Sequence, residues 1–143
     1  MIDNVRLSQQ AKGHLMSLKR RTGIPQWNTL SRWGLATSLA DESPPLVRDV
    51  VADSNVEMSW RTFAGQYGDV YLALLKQRCA AEGGDPADPA AISHTLMVHL
   101  HRGIGRLAGL QDLRDITDLI ALALNPHPHP VDRDPDDDEG TRR

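Results

Sequence analysis

Three consecutive cations, Lys19, Arg20 and Arg21, stand at the end of a stretch with helical periodicity, with Lys12 seven residues before the first of them, Arg6 ahead and Arg32 after. Cations in the last turn of a helix complement its dipole by about 0.3–1 kcal/mol each, and one or two satisfy that role. A run of three, extended by Lys12 on the same flank, exceeds it and suits a track for phosphate groups. The charge distribution agrees. Residues 1–40 carry six basic side chains against Asp3, residues 41–126 seven basic and twelve acidic, and residues 127–143 three basic and six acidic, so a formal net charge of −3 conceals a basic front third.

Other chemistries find less support. On a helix His99 and His101 point about 160° apart, while His94 and His101 share a face but are separated by about 10.5 Å along the axis, too far to chelate one ion. His127 and His129 fall in a flexible polar tail. The single cysteine, Cys79, excludes an internal disulfide and reads as a small packed residue rather than a nucleophile. Asp112, Asp115 and Asp118 drift around one helix side and read as a solvated face. No P-loop, G-x-S-x-G, H-E-x-x-H or dinucleotide fingerprint occurs. No catalytic residue, metal site or cofactor is therefore expected.

The elements that must position the cations follow from local pattern. Val5 and Leu7 alternate with Asn4 and Arg6, a short strand presenting the latter pair outward. Ser8 caps a helix that Gly23 ends, and Ala11, Leu15, Leu18 and Thr22 form its core stripe. Pro25 opens a second helix whose apolar residues, among them Trp27, Leu30, Trp33 and Leu35, are too many for one neighbour; Ser43, Pro44 and Pro45 stop it. Residues 46–60 carry no clear pattern beyond a turn at Asp53–Asn55. A third helix runs from about Thr62 to Gly83, with Phe63, Tyr67, Val70, Leu74 and Ala81 on its stripe. A fourth buries Ile92, Leu96, Leu100, Gly103 and Leu107, and a fifth uses Leu113, Ile116, Ile120 and Leu124. The expected fold class is all-α, a mainly helical bundle with one short N-terminal strand. Residues 1–125 form one helical domain, and residues 126–143 a disordered, acidic, proline-rich tail. No window has the roughly 18 apolar residues of a membrane helix, and the first 25 residues lack a signal-like apolar core, so a cytoplasmic protein is expected.

Strand, helix, turn and helix within 40 residues is also the pattern of a ribbon-helix-helix unit, in which the strand pairs with its twin from a second chain and Asn4 and Arg6 would read bases. A second resemblance is more extensive. The segment LKRRTGIPQWNTLSRWGLATSL resembles the N-terminal motif of the DndE family of DNA sulfur modification proteins, WRTFAGQYGDVYLALLKQR at 60–78 resembles that family's central helix, and HLHRGIGRL at 99–107 its later segment. These blocks span about 100 of the 143 residues, in the right order.

The resemblance implies a subunit of the bacterial Dnd system, in which sulfur replaces a non-bridging phosphate oxygen of DNA. In that system other Dnd subunits supply the cysteine desulfurase, the sulfur activation and the ATPase. It further implies a small helical protein that forms a homotetramer and binds nicked double-stranded DNA through basic surface residues. Carried onto this chain, those residues are Lys19, Arg20 and Arg21, with Arg32 in the next helix and Arg102 in the later block; Arg6 and Lys12 join them from the charge pattern. Two rival functions stay open at this point, a ribbon-helix-helix transcriptional regulator and a pure assembly subunit of the modification complex.

Overall fold

A computed structural model describes residues 2–46 and 49–124. The expected tail, with His127 and His129, lies outside the described residues. The chain is mainly helical: β1 (Asn4–Arg6), α1 (Gln9–Thr22), α2 (Trp27–Leu39), β2 (Glu57–Ser59), α3 (Trp60–Ala64), a single 3₁₀ turn at Gly65–Tyr67, α4 (Gly68–Ala81), α5 (Pro89–Gly109) and α6 (Ile116–Leu124).

The α5 helix is the centre of the molecule. Asp88 caps it by accepting from the Ala90 N–H at 3.0 Å, Pro89 sits in its first turn, and Ile92, Leu96, Leu100, Gly103 and Leu107 are buried as their spacing predicts. Helices α1, α2 and α4 all pack on it. The expectation that α2 meets several neighbours is met: it crosses α5 most extensively and also touches α1 and α3. At the α2–α5 crossing Gly34 and Gly103 lie backbone against backbone.

Three features differ from the pattern-based reading. Strand β1 does pair, but with β2 of its own chain, antiparallel, with Asn4 opposite Ser59 and Arg6 opposite Glu57. The hydrogen-bonding partner that a ribbon-helix-helix would take from a twin chain is here supplied by residues 57–59, a strand too short to show periodicity. Second, the expected third helix is broken: Gly65, at φ 60°, ends α3 and α4 restarts after one 3₁₀ turn. The break resets the helical phase, so α4 buries Leu75 and Cys79, while Tyr67, Val70 and Leu74 are exposed. Third, α6 buries Leu119 and leaves Ile116, Ile120 and Leu124 exposed; Leu113 is buried in the turn before it.

Candidate nucleic-acid interface

Helix α1 forms as its sequence dictates. The Ser8 hydroxyl accepts from the Ala11 N–H at 3.0 Å, and Gly23, at φ 73°, takes the left-handed conformation that ends the helix while its N–H reaches the Lys19 carbonyl at 2.9 Å. Ala11, Leu15, Leu18 and Thr22 are buried, which turns Lys12, Lys19 and Arg20 away from the core. The helix contains no acidic residue.

Two of these cations are held in place. The Lys12 ammonium donates to Asn55 Oδ1 at 2.6 Å, and the Lys19 ammonium lies 4.2 Å from the centre of the Trp27 ring, a cation–π contact. Arg20 is exposed and makes no hydrogen bond or ion pair among the described residues, and Arg6 projects from the outer face of β1 in the same state. An open groove of about 560 Å³ borders Lys12, with Trp27, Asn28, Asn55, Met58 and Thr62 also in its walls.

The other three arginines named from the sequence are engaged within the chain. The Arg21 guanidinium donates to the carbonyls of Ala108 (2.9 Å), Leu110 (3.1 Å) and Leu113 (3.1 Å), closing the C-terminus of α5. Arg32 donates to the Phe63 carbonyl at 2.8 Å, near the end of α3. Arg102 donates through Nε to the Ser38 hydroxyl (2.7 Å) and through its two terminal nitrogens to the carbonyls of Ser43 (2.7 Å) and Ser38 (3.0 Å). Each guanidinium donates to at least one carbonyl at or just beyond a helix end.

Pattern reasoning missed Arg78, which completes the α2 cap by donating to the carbonyls of Asp41 and Leu39, both at 2.6 Å. Helix α2 has no basic residue in its own last turn, so cations arrive from α4 and α5 instead. Arg106 pairs with the Asp41 carboxylate at 2.7 Å. Hydrogen bonds from the Ser43 hydroxyl and N–H, together with Arg106, hold that carboxylate well below the usual range.

Beneath this cap lies a polar chain of buried groups. Because the Glu82 carboxylate can only accept, His99 Nε2–H donates to Glu82 Oε1 at 2.8 Å, and Nδ1 of the neutral ring accepts from the Ser38 hydroxyl at 2.8 Å, whose oxygen accepts from Arg102. The order serine, histidine, carboxylate is that of a hydrolase triad, but Ser38 and His99 are both 0% exposed. The group ties α2, α4 and α5 together. Burial pushes the His99 pKa down despite the opposing Glu82 carboxylate. His101 is likewise pushed down by burial; its Nδ1–H donates to the Met97 carbonyl at 2.7 Å and Nε2 accepts from the Ser8 N–H at 3.0 Å.

A larger depression of about 830 Å³ is lined by Pro44, Leu46, Val51, His101, Arg102 and Arg106 among others. Its two arginines are those already bonded to Ser43 and Asp41, so it offers phosphate less than the α1 flank does. Among the described residues no three His, Cys, Asp or Glu side chains gather as a metal site, and no helix is long and apolar enough to cross a membrane.

No curated protein sequence matches the chain. Among solved structures, one described as "Crystal structure of DndE G21/24K mutant involved in DNA phosphorothioation" is similar in fold, with a TM-score of 0.58 and 19% identity over 75% of this chain and 97% of that one. The family model "DNA sulphur modification protein DndE" matches residues 4–115, which takes in every element from β1 through α5. With a match over that much of its length, the chain belongs to the DndE family of DNA sulfur modification proteins.

Proposed function

We propose that this protein is a non-catalytic, DNA-binding subunit of a bacterial DNA phosphorothioation system, acting in the cytoplasm and holding nicked double-stranded DNA through its backbone phosphates. The observation that carries this reading is the α1 flank: Lys12, Lys19 and Arg20 on one helix without an acid, with Arg6 exposed on the neighbouring strand. Lys12 and Lys19 are pre-positioned by Asn55 and Trp27, which lowers the entropy lost when phosphate is gripped. Phosphate contacts are indifferent to base sequence and suit a site distinguished by a broken, flexible strand. A subunit that holds DNA requires no acid, base or nucleophile of its own, since other Dnd subunits would supply sulfur chemistry.

Four cations stay available once Arg21, Arg32 and Arg102 are assigned to internal carbonyls. If all four neutralise phosphates, log affinity falls against log salt with a slope of about −3.6. A titration of nicked and intact duplex from low to moderate salt measures that slope. A response near zero, or strong preference for one palindromic sequence over nicked random duplex, would refute the reading.

Exposed apolar side chains favour an assembly role beside the DNA-binding one. Val70 and Leu74 share one side of α4, with Tyr67 exposed in the turn before it, and Ile116, Ile120 and Leu124 share one side of α6. Surfaces of this kind mark contacts between proteins. We assign them to a homotetramer and to other Dnd subunits, with residues 1–125 as the single folded domain.

A further inference from the structure

We propose that the groove between α1, the start of α2 and β2 receives one unstacked nucleobase of a DNA strand end, with Trp27 as its stacking surface. The strand-end source rests on the function proposed above; the base site itself rests on the groove.

The aromatic surface is the first argument. Trp27 opens α2, is half-buried and packs against the hydrophobic core, so its ring is held in place. The groove walls take in Trp27 but, among the described residues, not Lys19, whose ammonium lies over the ring. The ammonium therefore covers a part of the indole away from the groove and leaves the rest to a ligand. Every base has a π face, and stacking on an aromatic side chain tolerates any of them.

The second argument is the pair of amides in the walls, whose orientations their partners fix. The Lys12 ammonium only donates, so Asn55 turns Oδ1 to it and keeps Nδ2 as a donor. The Thr62 carbonyl only accepts, so Asn28 turns Nδ2 to it, at 3.1 Å, and keeps Oδ1 as an acceptor. Neither remaining atom has a hydrogen-bond partner among the described residues. One donor and one acceptor beside an aromatic ring match a base, whose pairing edge carries both kinds. Glu57, a carboxylate in the same walls, adds an acceptor for a base amino group and repels phosphate, which leaves the phosphates to the lysine side.

Position is the third. The groove, of about 560 Å³, falls within the range of about 300–1,000 Å³ usual for small-ligand sites and has Lys12 at its border. Lys12 and Lys19 are separated by about 10.5 Å along α1, on the order of three nucleotide rises at about 3.4 Å each. A strand that follows the two lysines therefore passes the mouth of the groove. Phosphate contacts sense a nick only through strand flexibility, whereas a base site senses it directly: a base at a nick has lost one covalent neighbour, and leaving the stack costs least where the duplex is already broken.

The probe is 5-iodouracil, which photocouples to aromatic rings on which it stacks, placed at the strand end of a nicked duplex, in a short single strand and in a free nucleotide. Each is irradiated with the full chain, and cross-links should map to Trp27 with both DNAs. Cross-links only at the other tryptophans, Trp33 and Trp60, or at other residues, or none while duplex is bound, would overturn the base site. Capture of the free nucleotide alone would overturn the strand-end source. In parallel, Trp27→Leu should lower the ratio of nicked to intact duplex affinity about 5-fold or more, and Trp27→Phe should recover most of it. Loosening Lys19 weakens both duplexes alike, so the ratio reports the base. A ratio of one in the unaltered chain, or an unchanged ratio in a folded variant, would overturn the proposal; if the leucine variant does not fold, the cross-links on the unaltered chain decide. If the chain binds neither duplex, the DNA-holding function fails while the single strand still decides the base site.

Discussion

A β-carbon placed on Gly103 would overlap the carbonyl oxygen of Gly34, so helices α2 and α5 touch backbone to backbone at this crossing. Gly34 is similarly confined, its own added β-carbon falling 2.7 Å from Ile104 Cγ1. Because the obstacle at Gly103 is backbone rather than a flexible side chain, Gly103→Ala should destabilise the protein by about 3 kcal/mol or more, above the usual cost of overpacking. Gly13, in the middle of α1, has nothing within 4 Å of an added β-carbon, and Gly13→Ala should stabilise by about 0.5–1 kcal/mol. Urea denaturation midpoints of the two variants should move in opposite directions.

The arginines should separate into two classes. Arg20→Ala and Arg6→Ala remove exposed groups without hydrogen-bond or ion-pair partners among the described residues, so stability should change by no more than about 0.5 kcal/mol, while the salt slope of DNA binding should shallow by about 1 for each phosphate no longer neutralised. Arg102→Ala removes the guanidinium from the Ser38 hydroxyl and from the Ser38 and Ser43 carbonyls and should cost about 2 kcal/mol or more. Arg102→Lys should recover less than half of that, because an ammonium cannot present the planar fork. Thermal denaturation beside fluorescence anisotropy on nicked duplex distinguishes the classes.

Acid should weaken the fold through its buried histidines. The folded-state pKa values of His99 and His101 lie below the ordinary value of 6.5, so the unfolded chain binds the extra protons first. Stability is then full above about pH 6.5 and falls as pH drops below it, by up to about 1.4 kcal/mol per pH unit for each histidine. His99→Gln can donate to Glu82 and accept from Ser38 without titrating, and should flatten part of this limb. Asp41, depressed by Ser43 and Arg106, adds a separate loss as pH falls below the ordinary aspartate range. Denaturation curves between pH 8 and about 2 resolve the two, the histidine loss starting near pH 6.5 and the aspartate loss below about pH 4.

The apolar sides of α4 and α6 should govern self-association. Val70 and Leu74 are 56% and 42% exposed, and Ile120 is 51% exposed, so charged substitutions there leave the core intact. Leu74→Glu or Ile120→Asp should lower the mass measured by light scattering with unchanged helical content. Retention of the parent's mass by both variants would place the contacts elsewhere.

Helices α1 and α5 were legible in the chain because their caps and buried stripes are local quantities. Ser8, Gly23 and the series Ala11, Leu15, Leu18, Thr22 are related by the 3.6-residue period, as are Ile92, Leu96, Leu100 and Leu107, and no distant residue alters that spacing. The clustering of cations in the first third of the chain was equally visible, since it is composition. Other features depend on which segments meet. A three-residue strand at Glu57–Ser59 has too little length to show alternation, and a positive φ at Gly65 shifts the phase of everything after it, which is why Tyr67, Val70 and Leu74 face outward. The assignment of each guanidinium is the clearest case. Arg21 meets Leu110 across 89 residues, Arg102 meets Ser38 across 64 and Arg32 meets Phe63 across 31, whereas Arg20, one residue from Arg21, meets none of the described residues. Residue type and position supply the charge; only the packing of helix ends against one another decides which charges are satisfied inside the molecule and which are left for a phosphate.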